Sequence, residues 1–509
     1  MSFDAVVIGA GLGGLGCAAR LAGHGLRVLV LEKNRHIGGT SYVFQRGGYT
    51  FPMGPLSFSF PDRVRGFFAA AGVEAEVRFC RNHFQLISPG LDIIYSVPLE
   101  SVRRELSKAS PLERSGLGAF FNDLTGIIRE TRDVYLWHPD YLTQRARSNL
   151  DRAEPRLKND LTRILEYSRT PCRPLLDRHL GDPRLKNLLG SQGTAEPETS
   201  ILTLAFMWNM MSEVGIWYPS CGIHGLSDLL AETIRRRGGQ VRLDAGVDRI
   251  FVKNGRVSGV RTESGELFEA PWVVSNVDPK KTFLELCSPE DIPHPFITRI
   301  AATPYTASEL CVYLGVNPVR IDWTRMRATH LFYRHKDETP KGGLEGLEDF
   351  ENSEFEICRW SDNAPDHVPP GKASLVLRAS FPYDRFSAFR TGDKKRKAEY
   401  KPYKSALTQK LIAAAEKALP GLSAAVDVVE TATPLTYADW GRRYQGSIAG
   451  WSWGAEHRGS LASKLLIETP LDNLLMVGIY AATELFLGGV PTALHTADLA
   501  ARIILGEKP

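Results

Sequence analysis

An apolar segment followed by closely spaced glycines, near the start of the chain, most constrains its fold. Ala5 to Ile8 is an uninterrupted apolar run, typical of a parallel strand that is buried on both faces. Gly9, Gly11 and Gly14 follow, and their spacing suits a tight turn, close approach of the backbone to a pyrophosphate, and close packing of a helix on the strand. The segment therefore predicts a strand, a glycine turn and a helix whose N-terminus faces a phosphate group.

The residues after the glycine turn support a dinucleotide site. Apolar side chains recur at helical spacing at Leu15, Ala18, Ala19 and Ala22. Leu26 to Leu31 then has the character of a second strand. Glu32 follows about twenty residues after the glycines, where an acidic side chain binds ribose hydroxyls in dinucleotide-binding folds. We therefore predict an ADP-containing cofactor, because a tight turn in an unrelated α/β unit would leave Glu32 unexplained.

Size and composition limit the class of protein. The chain has 509 residues, more than one hydrophobic core usually supports, so we expect two intertwined domains. A formal net charge of +4 is too small to indicate a nucleic-acid-binding protein. The seven cysteines form no Cys-x-x-Cys pair, which favours a reducing cytosol and argues against disulfides or a metal site.

We expect the protein to be cytoplasmic. No window of eighteen uninterrupted apolar residues indicates a transmembrane span. The N-terminus enters the first strand at once, so we expect no signal peptide. Peripheral contact with the cytoplasmic membrane face stays open.

Sheet patterns return in two later stretches. An amphipathic helix around residues 226–234 ends at Gly238-Gly239, and strands follow at residues 241–243 and 247–252. Asn254-Gly255 is a strong hairpin signal. We also predict strands at 257–260 and 272–274, a strand at 474–477, and a closing helix at 493–505.

Two segments each allow two interpretations. Thr199 to Val214 is rich in large apolar side chains, which suit either a hydrophobic core or the wall of a ligand cavity. The basic run from Asp393 to Lys397, continued by Lys401 and Lys404, is either a solvated helix face or an anchor to anionic lipid.

Three regions together resemble the FAD-dependent phytoene desaturase family, whose near relatives include carotenoid isomerases and retinol saturases within the flavin amine oxidase-like superfamily. The first region runs from Gly9 to Gly54-Pro55 and the second from Tyr218-Pro219 to Asn276. The third comprises Gly478 and Gly488 to Pro491. The resemblance implies an α/β fold with a Rossmann-like FAD-binding domain, of the two-dinucleotide-binding-domain type, interleaved with a mixed α+β substrate domain and a helical cap.

The patterns along the chain also predict domain boundaries. Residues 1–55, 216–285 and 451–509 would form the FAD-binding domain. Residues 56–215 would be a mainly helical substrate-side or membrane-facing insertion, and residues 286–450 the substrate domain.

The resemblance also implies which residues hold FAD. Glycines near the N-terminus would cradle the pyrophosphate, an acid and its neighbour would bind the adenosine side, and a C-terminal loop would cover the flavin. In this chain the matching positions are Gly9, Gly11, Gly14, Glu32, Lys33, Gly38, Gly39, Thr40, Val247, Gly478, Gly489, Val490 and Pro491.

Three departures from the family pattern fall near the expected flavin ring. Pro52-Met53-Gly54 lacks the usual aspartate before the glycine, and Ser220-Cys221 replaces a Lys-Gly pair. The loop after Gly478 is longer than usual and contains Glu484. These departures bear on the reaction and leave the cofactor prediction intact.

The resemblance implies an FAD-dependent oxidoreductase that desaturates, saturates or isomerises a lipophilic, carotenoid- or retinoid-like polyene, with a quinone or oxygen as electron acceptor. Glu484 is the candidate catalytic residue, because a desolvated carboxyl can transfer protons near neutrality; the competing interpretation is a surface glutamate. The functional alternatives are a flavin amine oxidase and a non-enzymatic prenyl-lipid-binding protein of the same fold. No metal-ligand pattern is evident.

Overall fold

A computed structural model describes most of the chain. The described residues are 3–135, 155–191, 199–336, 343–452, 466–482 and 489–507.

The glycine turn follows the central strand of a five-stranded parallel sheet, here called the nucleotide sheet. Its strands, in spatial order, are Gln240–Arg242, Val28–Leu31, Ala5–Ile8, Trp272–Ser275 and Leu474–Met476. The central strand is apolar because both of its faces are buried, and Ala5, Val6 and Val7 have no exposed surface. Strands from three separate parts of the chain thus form one sheet, which confirms the predicted Rossmann-like α/β fold.

Helices and a small antiparallel sheet cover the nucleotide sheet. The helix Leu12–Gly23 packs against Gly222–Arg236 and against the closing helix Gly489–Leu505. An ion pair of 3.0 Å between Arg20 Nε and Asp498 Oδ1 joins the first and the closing helix. The small antiparallel sheet consists of Val247–Lys253, Arg256–Thr262 and Leu267–Glu269, and its first hairpin turns at Asn254-Gly255 as predicted.

A second, seven-stranded sheet, here called the cavity sheet, forms the other half of the molecule. Its strands, in spatial order, are Val426–Ala432, Glu309–Val316, Ala373–Ser380, Phe355–Arg359, His330–Tyr333, Phe84–Ser88 and Leu91–Ile94. All neighbouring pairs are antiparallel except His330–Tyr333 with Phe84–Ser88. One face carries Leu310, Leu377 and other apolar residues that pack in a common core with the helix Tyr400–Glu416.

The segment predicted as a mainly helical insertion begins with strands. Phe58–Ser59 and Phe79–Asn82 pair with Ile216–Pro219, and the next two strands join the cavity sheet. The run around Phe84–Ser88 is buried because it enters the interior of a sheet, and Gly90 at φ 80° allows the turn to the following strand. The domain boundaries themselves stay a prediction.

The remaining regular structure is mostly helical. Within the described ranges, the other α-helices of five residues or more are Pro61–Ala70, Leu99–Ala109, Arg114–Tyr135, Pro155–Arg169, Arg173–His179, Pro183–Ser191, Ile201–Asn209, His294–Ala302, Gly343–Leu347 and Pro434–Asp439. Two hairpins complete the fold, Val43–Arg46 with Tyr49–Pro52 and Arg390–Gly392 with Lys395–Arg396. Among the described residues, the helices lack the combination of length and apolar character that a bilayer crossing needs.

The basic run is divided between two elements. Lys395 and Arg396 lie in the second hairpin, whereas Lys401 and Lys404 lie on the helix Tyr400–Glu416. Arg396 forms an ion pair with buried Asp439, so its charge is compensated within the fold. The interpretation as a helix face therefore applies only to Lys401 and Lys404.

Candidate active site

A cavity of about 1230 Å³ extends from the glycine turn to the cavity sheet. It is bounded at one end by Gly9, Gly11 and Glu32, and at the other by Phe84 and Phe332. Residues from both sheets therefore line one space, which can hold a long cofactor and a second molecule side by side.

The glycine turn leaves no room for side chains. A Cβ atom at Gly11 would lie 2.6 Å from Asn276 Nδ2, and one at Gly14 would lie 2.1 Å from the Gly9 carbonyl oxygen. The backbone of Gly9 has a φ of 94°, which favours glycine. The helix that begins at Leu12 has no side-chain cap at its N-terminus. Its first N–H groups are thus available for an anion, so the turn fits a pyrophosphate.

Glu32 is held rigidly beside this turn. Its Oε2 accepts a hydrogen bond of 2.7 Å from the Ala10 N–H, and its Oε1 accepts one of 2.8 Å from the Asn34 N–H. The residue is buried yet lines the cavity. Because each carboxylate oxygen accepts more than one hydrogen bond, Glu32 retains capacity for ribose hydroxyls.

The structure brings most of the predicted cofactor residues to this cavity. Those that line it are Gly9, Gly11, Glu32, Lys33, Gly38, Gly39, Thr40, Val247, Gly478, Gly489 and Val490. The other two do not line the cavity. Gly14 lies where the helix packs closely on the first strand, and Pro491 is buried in the closing helix. Lys33 is engaged by Glu263, with 2.6 Å between Nζ and Oε1.

Glu484, the candidate catalytic residue, lies outside the described residues, as does Gly488. Tyr480, at the beginning of the same loop, lines the cavity, and its carbonyl accepts a 2.9 Å hydrogen bond from Trp451 Nε1. The loop therefore leaves the nucleotide sheet directly beside the cavity.

Gly13 and Asn276 line the cavity beside the glycine turn, and neither was in the predicted set. A Cβ atom at Gly13 would lie 2.6 Å from Asn276 Oδ1 and 2.7 Å from the Gly478 N–H nitrogen. Asn276 thus sits among Gly11, Gly13 and Gly478, and links the glycine turn to the C-terminal loop. Its position directly after the strand Trp272–Ser275 was the available signal, because ligands bind beyond the carboxyl ends of parallel strands.

Apolar side chains line the part of the cavity near the cavity sheet. They include Phe58, Phe84, Met207, Met210, Met211, Ile216 and Phe332. The segment Thr199 to Val214 serves both predicted purposes, since its methionines line the cavity while Leu204 and Trp208 are buried in the core. Trp208 also donates a 2.9 Å hydrogen bond from Nε1 to the Leu189 carbonyl.

Charged residues also line the cavity at the cavity sheet. We call them the charged strip, and its members are Glu309, Arg334, Glu354, Glu356 and Arg378. The pairing of strands places Glu356 beside Arg378, and Arg378 beside Cys311. The sequence gives no sign of this grouping because its members come from four separate segments of the chain.

The negative charge of Glu356 is compensated by two neighbouring side chains. Its Oε2 accepts a 2.8 Å hydrogen bond from Arg378 Nε, and its Oε1 lies 2.5 Å from His330 Nδ1. Burial opposes ionisation of this carboxyl, but the Arg378 charge and the His330 hydrogen bond lower its pKa to about 2. Tyr437 donates a 2.7 Å hydrogen bond to Glu309 at the end of the strip.

Glu354 differs from its neighbour two residues away. Its Oε1 is shielded from solvent and has no hydrogen-bond partner among the described residues. Burial raises the pKa of this carboxyl from 4.5 to about 7, and the nearby Arg334 charge opposes that rise.

An aromatic cluster near Asp278 surrounds a lysine. The Lys280 ammonium lies 4.8 Å from the centre of the Tyr305 ring and 4.5 Å from that of Tyr444. Burial lowers the Lys280 pKa, while the Asp278 charge opposes that change. Tyr305 donates a 2.5 Å hydrogen bond to Asp278. These ring faces are therefore occupied by the protein's own ammonium group.

Comparison with known proteins agrees with this geometry. Residues 12–505 match the model of the flavin containing amine oxidoreductase family. The chain is 26% identical to the zeta-carotene-forming phytoene desaturase of Myxococcus xanthus, over 74% of this chain and 72% of that protein. It is also 26% identical to the chloroplastic prolycopene isomerase of Arabidopsis thaliana, over 95% of this chain and 79% of that protein.

A solved structure shows the same fold. Cyclohexylamine oxidase from Brevibacterium oxydans superposes with a TM-score of 0.64 at 16% identity, covering 99% of each chain. Together with the glycine cradle, these findings show that the chain belongs to the flavin containing amine oxidoreductase family and is an FAD-dependent oxidoreductase.

Proposed function

We propose that this protein acts on carbon–carbon bonds of a lipophilic, carotenoid- or retinoid-like polyene, by desaturation, saturation or cis–trans isomerisation. One observation carries the proposal: the cavity passes without interruption from the glycine turn to a chamber lined by phenylalanine and methionine side chains. The two relatives described above, a desaturase and an isomerase of carotenoids by name, support the same substrate class.

In this proposal the chain's residues bind and orient FAD. Gly9, Gly11 and Gly14 admit the pyrophosphate, and Glu32 accepts hydrogen bonds from the ribose. Lys33 and Val247 lie on the adenosine side. The residues that run beside the ribityl and flavin portions are Gly38, Gly39, Thr40, Gly478, Gly489, Val490 and Pro491. When bound, FAD supplies hydride-transfer chemistry. The apolar wall excludes water from the reacting carbons.

Glu484 stays our candidate for the group that moves a proton. Its loop follows Tyr480, which lines the cavity. We expect Glu484→Gln to lower turnover by about 10²-fold or more, as for loss of a general acid or base. Flavin spectra and substrate binding should be retained, and unchanged turnover would remove Glu484 from the mechanism.

The electron acceptor of a desaturation is, in this proposal, a quinone or oxygen. Stopped-flow reoxidation of the reduced protein by each acceptor would distinguish them, since the physiological acceptor should reoxidise the flavin faster than the enzyme turns over. An isomerase would need reduced flavin but show no net consumption of either acceptor.

We further propose that the protein is cytoplasmic and docks peripherally on anionic membrane. Trp440 and Ile448 line the cavity and are 50% and 37% exposed, so the cavity has an apolar rim. The Lys394 ammonium lies 4.1 Å from the centre of the Trp440 ring, which places positive charge at that rim. Such a surface combines burial in lipid with attraction to anionic headgroups.

Flotation with phosphatidylserine-containing liposomes tests this docking. We expect the protein to co-float at low salt, and Trp440→Ser to reduce the floated fraction. Val319→Ser is the matched control, because Val319 is 87% exposed but does not line the cavity. Failure of the unaltered protein to float, or equal losses in both variants, would contradict docking at this rim.

Anaerobic incubation with a substrate panel tests the proposed reaction. The FAD-loaded protein, oxidised or reduced, is mixed with carotenoid and retinoid polyenes and with primary amines, and products are identified by mass and chromatography. Loss or gain of one hydrogen pair indicates a redox reaction on the polyene, and altered retention at constant mass indicates isomerisation. Conversion of amines alone would instead support the amine oxidase alternative.

The non-enzymatic alternative makes a separate prediction. A prenyl-lipid-binding protein of this fold would be purified without flavin, whereas the proposed enzyme is yellow and releases FAD on denaturation. Absence of flavin after reconstitution attempts would overturn the proposal.

A further inference from the structure

The charged strip is an unexpected component of a cavity for a hydrocarbon. Removing a carboxylate from water is costly unless it is paired or hydrogen-bonded. Glu356 meets this condition through Arg378 and His330, but Glu354 Oε1 has no hydrogen-bond partner in the part of the chain that the structure describes. A wholly apolar ligand packed beside Glu354 would leave this oxygen unpaired and further shielded from water.

The fold holds Glu354 at a defined place on the cavity. Tyr333 pairs with Phe355 at the ends of adjacent antiparallel strands. Continuing this register by one residue places Glu354 opposite Arg334, and both residues line the cavity. The two side chains therefore form a polar position at the border of a space otherwise walled by Phe84 and Phe332.

We propose that Glu354 is a specificity-determining residue that binds a hydroxyl group at one end of the polyene substrate, with Arg334 beside it. The inference rests on the proposed function and narrows its substrate class from polyenes in general to amphipathic ones. A hydroxyl group fits because it donates to an ionised carboxylate and accepts from a protonated one. Burial raises the pKa of Glu354 to about 7, so both protonation states are populated near neutral pH.

Ligand binding without turnover tests this inference. The FAD-loaded protein is titrated with a conjugated C20 polyene alcohol, with the hydrocarbon of the same skeleton, and with the corresponding primary amine. Quenching of tryptophan fluorescence by the polyene reports binding. We expect the alcohol to bind about 10- to 100-fold more tightly than the hydrocarbon, as for one hydrogen bond to a charged group.

Two variants isolate the side chain. Glu354→Leu should abolish the preference for the alcohol while the hydrocarbon binds as well as before or better. Glu351→Leu is the matched control, because Glu351 pairs with Lys336 and does not line the cavity. It should leave the alcohol preference unchanged.

Each outcome bears on the inference. Equal binding of alcohol and hydrocarbon, or an alcohol preference that survives in Glu354→Leu, would overturn it while leaving the polyene proposal intact. A preference for the amine over the alcohol would overturn the assignment of a hydroxyl group. Failure of all three probes to bind would overturn the inference and the proposed substrate class together.

Discussion

Replacement of Gly14 by alanine tests whether close packing at the glycine turn controls cofactor binding. A Cβ atom there would lie 2.1 Å from the Gly9 carbonyl oxygen, whereas an ordinary contact begins at 3.4 Å. The helix must therefore move by about 1.3 Å, and Val7 Cγ1 and Asn276 Cβ, both at 3.2 Å, oppose that shift. Overpacking of this kind costs about 1–3 kcal/mol, and alanine's higher helix propensity offsets at most about 1 kcal/mol.

The displacement should be seen most clearly in FAD affinity. Moving the helix N-terminus would lengthen the hydrogen bonds that we propose it donates to the pyrophosphate, and each hydrogen bond to a charged group is worth about 1.5–3 kcal/mol. We expect Gly14→Ala to weaken FAD binding by about 10- to 100-fold in a fluorescence titration of the apoprotein. The midpoint of urea unfolding should fall as well.

Gly118→Ala is the matched control for this substitution. Gly118 also lies in a helix, Arg114–Tyr135, but an added Cβ atom would meet nothing within 4 Å. This variant should gain up to about 1 kcal/mol of stability and bind FAD normally. If Gly14→Ala bound FAD as tightly as Gly118→Ala, the assignment of the turn as the pyrophosphate site would be refuted.

Substitutions at four further residues test the charges around the cavity. Arg378→Met should destabilise the protein by about 3–5 kcal/mol in urea unfolding, because it removes the charged partner of buried Glu356 and leaves that carboxylate only His330, and Arg378→Lys should cost less. The pKa of Glu356 is lowered to about 2, so the stability it contributes is present above pH 4.5 and lost as the pH falls towards 2; Glu356→Gln should remove that acid dependence. The pKa of Glu354 is raised from 4.5 to about 7, so the native protein loses stability as the pH rises through this range. We therefore expect Glu354→Gln to be more stable than the unaltered protein at pH 8, by up to about 3 kcal/mol, and nearly as stable at pH 4. Glu32→Gln exchanges one acceptor oxygen for a donor opposite a backbone N–H, and it should weaken FAD binding by about 1–3 kcal/mol in calorimetric titration.

The nucleotide sheet was predictable because its signals are local. The apolar strand Ala5–Ile8, the glycines after it and the Asn254-Gly255 turn each determine backbone geometry within a few residues. Their order along the chain then restricts the strand arrangement, since parallel strands need long crossover connections. Most of the predicted cofactor residues reach one cavity for this reason.

The cavity sheet was not predictable in the same way. Its interior strand Phe84–Ser88 lies in a segment whose helices dominate the sequence pattern, and its partner His330–Tyr333 follows more than two hundred residues later. Pairing over such distances leaves no periodic signal in either segment alone. The charged strip also depends on strand pairing, because Glu356 and Arg378 become neighbours only through the register of their own two strands.

Two neighbouring carboxylates of the cavity separate a structural role from a binding role. Glu356 lies in the strand Phe355–Arg359, Glu354 directly precedes that strand, and both line the cavity. The pKa of Glu356 is lowered because Arg378 and His330 outweigh the effect of burial, whereas the pKa of Glu354 is raised because burial outweighs the effect of Arg334. A ligand that bound at Glu356 would have to displace existing partners. A ligand at Glu354 would supply the hydrogen bond that its Oε1 lacks, so substrate discrimination should depend on the second carboxylate and stability on the first.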